Sequence, residues 1–115
     1  MKIQGVTDVA AGATNPNILS GSAFEFMRTN AVVRFYLVGD STGELRATVQ
    51  AGSDILMEES PLSRAARMPI VPDDLTIEDV VGAGDRLVVR IRNAGAAVRT
   101  LFWAVEIVEL AGGGV

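Results

Sequence analysis

The sequence predicts an all-β fold: a single antiparallel β-sandwich, jelly-roll-like, with seven or eight strands and at most one short helix. Three features carry this expectation. Short β-prone runs recur roughly every 8–15 residues, each closed by Gly, Asn, Asp or Pro, which is sandwich or small-barrel spacing. The run 44–50 (ELRATVQ) places Leu45, Ala47 and Val49 on one side and Glu44, Arg46, Thr48 and Gln50 on the other, as a strand with one wet face does. The run 98–110 (VRTLFWAVEIVEL) is instead apolar on both sides. Leu101, Trp103, Val105 and Ile107 share one face; Val98, Phe102, Ala104, Val108 and Leu110 share the other. Something should cover each face, and in so short a chain a second copy is a natural cover.

Taken in order, Lys2–Val9 is the first β-prone run, followed by a small-residue loop at 10–17 in which Pro16 fixes a turn. The run 18–27 sets Phe24 and Phe26 on either side of Glu25, and 28–30 reads as a tight turn. Residues 31–40 alternate Ala31, Val33, Phe35 and Leu37 against Val32, Arg34, Tyr36 and Val38. The segment 39–44 (GDSTGE) reads as a hairpin loop returning the chain into 44–50. A further turn at 51–54 leads into a shorter strand at 55–59. The helix candidate is 60–69, with Ser60 as cap, Pro61 at the first helical position and Pro69 as stop. At one or two turns it would not stand alone. Residues 69–85 read as a loop plus a short strand, since Thr76, Ile77, Val80 and Val81 prefer extended backbone. Leu87, Val89 and Ile91 then alternate with Arg86, Val88, Arg90 and Arg92, and 93–96 turns the chain into 97–110. One domain over 1–110 and a flexible tail at 111–115 follow.

The composition narrows the chemistry. The 115 residues contain no cysteine and no histidine. Disulfides, thiolate metal sites and any Ser–His–Asp or Cys–His arrangement within one chain are therefore excluded. A formal charge of −4 with ten cations in all gives no clustered basic surface to draw nucleic acid. Hydrophobic residues make up 49%, an apolar balance for a domain that must expose much of itself, and this favours an oligomer. The beginning of the chain lacks the long apolar core of a signal peptide, and no run reaches membrane-span length. The cytoplasm, or a particle assembled in it, is the expected location.

Four constellations have more than one reading. Arg34, Arg46, Arg90 and Arg92, with Glu25, Glu44 and Glu106 as partners, can form cross-strand pairs on a solvated face, an ion-pair belt between subunits, or an anion site. Asp54, Glu58, Glu59, Asp73, Asp74, Glu78, Asp79 and Asp85 are oxygen ligands of the kind calcium takes, but lack the alternating loop of an EF-hand; turns, caps and solubility account for them. Gly82-Ala83-Gly84 resembles part of a phosphate loop without its Lys-Ser/Thr, and reads as a plain turn. The neighbours Phe102 and Trp103 must point to opposite faces, as must Phe35 and Tyr36. One of each pair can fill the core, and the other needs a loop, a subunit or a small ligand over it.

The run 83–95 (AGDRLVVRIRNAG), followed by 98–110 and preceded by 52–62 (GSDILMEESPL), resembles small all-β virion proteins of bacteriophages. The resemblance implies a non-enzymatic capsid component: a cement or decoration protein on a phage head, or a small shell-forming protein. It further implies a homo-oligomer, often a trimer, in contact with a major capsid protein, and localisation in the virion. No basic N-terminal arm is present, which favours a stabilising role without direct nucleic-acid contact. No catalytic, cofactor or metal residues are expected. The candidate subunit interface is Arg34, Tyr36, Arg46, Arg90, Arg92, Phe102, Trp103 and Glu106. A carbohydrate-binding sandwich module is the alternative from another class, and it would need exposed aromatics on one platform.

Overall fold

The computed structural model describes residues 2–22, 25–41, 43–65, 67–69 and 74–110. Among these are eight strands: β1 (Lys2–Val9), β2 (Thr14–Asn15), β3 (Ala31–Gly39), β4 (Leu45–Ala51), β5 (Asp54–Pro61), β6 (Ile77–Val81), β7 (Leu87–Asn93) and β8 (Arg99–Glu109). They form two four-stranded antiparallel sheets, ordered β1-β8-β3-β6 and β2-β7-β4-β5. That order is the double-sheet arrangement of a jelly roll.

The alternating strands close one core. Val33, Phe35 and Leu37 of β3 and Leu101, Val105 and Ile107 of β8 face Leu45, Ala47 and Val49 of β4 and Leu87, Val89 and Ile91 of β7, all buried. β8, apolar on both sides, is the strand placed centrally between β1 and β3, where it forms a ladder on each edge.

Only β4 and β5 are both consecutive and paired, and Gly52 at φ 59° makes their turn. Every other connection crosses between the sheets. The segment 40–44 is therefore an arch carrying the chain from β3 to β4, not the hairpin expected, and 94–98 carries it from β7 to β8 in the same way. Period-two alternation identifies the inward face of a strand but not its neighbour.

The expected helix at 60–69 does not form. Ser60 and Pro61 continue β5, the Leu62 N–H donates to Leu45 O at 2.9 Å, and Gly39 N–H donates to Ser63 O at 3.1 Å. Arg64 forms a parallel bridge with Gly39. Backbone pairing to strands already in place outweighs a helix too short to be stable alone. Within the expected strand 18–27, the described residues 18–22 are turns and 25–27 hold one bridge, Phe26 to Arg86. Conversely, β2 lies inside the expected loop 10–17. Phe24, Asp73 and the tail 111–115 lie outside the described residues.

Candidate assembly surface

The solvent side of the β1-β8-β3-β6 sheet is built from the even-numbered residues of its strands, and the registers arrange them in rows. Val108, Val32 and Val80 lie side by side across β8, β3 and β6. The next row is Lys2, Glu106, Arg34 and Glu78, one residue from each of the four strands, with charge alternating along it. Beyond it come Gln4, Ala104 and Tyr36, then Val6, Phe102 and Val38.

The charged row is held by hydrogen-bonded ion pairs. Arg34 donates from Nε to Glu78 Oε2 at 2.9 Å and from Nη1 to Glu106 Oε1 at 3.0 Å. The hydrogen bond that Arg34 donates to Glu106, followed by the one it donates to Glu78, raises the Arg34 pKa above its ordinary value. The Tyr36 hydroxyl donates to the same Glu106 oxygen at 3.4 Å. Burial first, and the Glu106 carboxylate second, push the Tyr36 phenol above its usual pKa.

Cover over this face is uneven. Tyr36, Val38 and Ala104 are buried within the single chain although they stand outside the main core cluster. The apolar residues toward the corners are open: Val80 is 62% exposed, Val6 57% and Val108 41%. The second face of the last run is thus sheltered by its own chain around Ala104, and it meets solvent at Val108 and Leu110.

The eight candidate interface residues fall into three places. Arg34, Tyr36, Phe102 and Glu106 converge on the face just described. Trp103 points to the opposite side of β8, packs against the core and donates from Nε1 to Thr7 Oγ1 at 3.1 Å. Arg46, Arg90 and Arg92 lie on the outer face of the other sheet, where Arg92 pairs with Glu59 at 2.5 Å and Arg90 reaches Thr48 Oγ1 at 3.4 Å. The four arginines therefore do not form one belt: all point outward, but Arg34 stands on one sheet and the other three on the opposite sheet, so they lie on opposite sides of the sandwich. Of their expected partners, Glu106 serves Arg34, while Glu44 pairs with Arg99 and Glu25 with Arg86.

Among the described residues, no group of three or more acidic side chains is placed to hold a metal ion. Gly82-Ala83-Gly84 is a turn in which Asp85 accepts from Gly82 N–H at 2.9 Å. Two structural residues were not apparent as such in the sequence. Asn17 and Asn93 are buried polar side chains that tie loops to β7; an Asn in a turn or at a strand end gives no signal of burial. No protein-family model matches the chain, and no curated protein or solved structure matches it.

Proposed function

We propose that the protein is a non-enzymatic building block of a phage particle, a cement or decoration protein that self-associates and braces the capsid through the outer face of its β1-β8-β3-β6 sheet. The observation that carries this reading is the open valine row Val108–Val32–Val80 beside the charged row through Arg34. Apolar side chains next to oriented charges suit a contact that must be both adhesive and in register. The jelly-roll order supports it at the level of fold analogy, since capsid proteins are among the users of that architecture. The carbohydrate-module alternative would need exposed aromatics on one platform; the burial of Tyr36 and the packing of half-buried Trp103 against the core favour the assembly reading over it.

Val80→Glu with Val108→Glu tests the reading. Light scattering after size exclusion should give an oligomer for the parent at micromolar concentration and a smaller species for the double variant. An oligomer unaffected by both substitutions would remove this face from the assembly.

A further inference from the structure

We infer that β1 is a docking edge for β1 of a second copy, paired antiparallel about a two-fold axis at Gly5, so that two protomers share one eight-stranded sheet. The inference goes beyond the reading above, because it concerns a sheet edge and holds whatever covers the outer face.

The two sheets end in four edge strands, and three of them are blunted. β2 has two residues. β5 loses register with β4 between Ala47 and Gln50, carries Glu59 at φ 48° and ends at Pro61. β6 directs Asp79 toward the core side, opposite buried Val33. Bulges, prolines, short length and inward charges are the devices that keep edges from pairing. β1 has none of them. It runs eight residues, pairs with β8 in unbroken register from Lys2 to Val9, and contains neither proline nor an inward charge.

The sequence of β1 is also self-complementary. With Gly5 opposite Gly5 of the partner copy, Lys2 falls opposite the partner's Asp8, Gln4 opposite the partner's Val6, and Ile3 opposite the partner's Thr7. Every pair joins residues of the same face, as antiparallel pairing requires. Both charged pairs are then attractive, and Lys2 and Asp8 are exposed in the single chain. A two-fold contact of this kind is isologous and closes at two copies instead of propagating a fibre. Glycine at the centre leaves room for Trp103, whose indole already leans across Gly5 toward the free edge.

Lys2→Cys/Asp8→Cys in the full chain tests the register, since the parent has no cysteine. The two positions in one strand are about 20 Å apart at ~3.3 Å per residue, so a short bis-maleimide can join them only between copies. The double variant should give a covalent dimer at micromolar concentration, and neither single variant should. Lys2→Asp and Asp8→Lys should each raise the dimer dissociation constant roughly tenfold, from two cross-strand pairs turned repulsive. The combined swap should restore it. Exposed end positions leave folding intact, which a circular dichroism melt verifies. A strictly monomeric parent overturns the inference. So does a dimer that both single-cysteine variants cross-link, or one that ignores the charge swap but responds to Val80→Glu; that last result leaves the outer-face reading standing.

Discussion

Trp103 occupies the space that a side chain on Gly5 would need. The two are directly opposed on β8 and β1, and a Cβ added to Gly5 would stand 2.7 Å from Trp103 Cζ2. An aromatic ring laid over a cross-strand glycine compensates an edge position that has nothing of its own to pack. The indole cannot easily move aside, because Nε1 is bonded to Thr7 and the ring rests on the core. Gly5→Ala should therefore destabilise by about 1–2 kcal/mol, overpacking outweighing the usual gain from removing glycine from a strand. In a Trp103→Leu background the same change should be neutral or stabilising. Urea denaturation of the four members of this cycle measures the coupling.

Asn93 is fully buried and satisfies three backbone groups. Its Nδ2 donates to Val9 O at 2.9 Å and Ala97 O at 2.7 Å, while its Oδ1 accepts from Gly95 N–H at 2.9 Å. It thereby fixes the arch between β7 and β8 to the end of β1. Asn93→Ala should cost about 2–4 kcal/mol, since it strands buried partners. Asn93→Asp keeps the shape but sets a carboxylate against two carbonyl oxygens, so at neutral pH it should cost more than alanine. Thermal melts of both variants give the order, and equal losses would mean that packing, not hydrogen bonding, is what Asn93 supplies.

Glu25 links the turns at 18–22 to β7. It is 8% exposed, accepts from Gly21 N–H at 2.9 Å and pairs with Arg86 at 2.8 Å. The Gly21 hydrogen bond, then Arg86, holds its carboxyl below the ordinary carboxylate range. A depressed folded pKa contributes stability above the unfolded value, lost as pH falls through the folded one. Glu25→Gln should thus be less stable than the parent at neutral pH, with the gap closing as acid protonates the parent. Denaturant midpoints between pH 7 and 3 trace it, and a constant gap would assign the loss to shape alone.

The inward faces of β3, β4, β7 and β8 were legible because alternation is a local property: each odd-numbered apolar residue reports its own burial. Which strands pair was not. The arches 40–44 and 94–98 have the composition of hairpin turns, and only long-range contacts tell them apart. The helix signal at Ser60-Pro61 failed for the same reason, as pairing of Leu62 with Leu45 and of Ser63 with Gly39 lies across the fold. Half of the candidate surface was visible, since Arg34, Tyr36, Phe102 and Glu106 share parity on paired strands. Arg46, Arg90 and Arg92 share their chemistry but belong to the other sheet. The valine row Val108–Val32–Val80 went unread, because three valines on three strands become a row only through register.

Tyr36 stands in the row beside the charged one, against Glu106, and its ionisation should set the alkaline limit of the fold. The phenol is buried and donates to Glu106. Losing its proton would place a second negative charge beside that carboxylate, without water to screen it. Its raised folded pKa gives the sign. The protonated phenol's contribution is complete below the unfolded value of about 10 and is lost as pH rises through the folded one. Tyr36→Phe should cost at most about 1 kcal/mol at pH 7, because the hydrogen bond it removes is long. It should then lose less stability than the parent between pH 9 and 11, so the two curves converge or cross. Parallel curves would show that water reaches the hydroxyl and that Glu106 is shielded from it by Arg34.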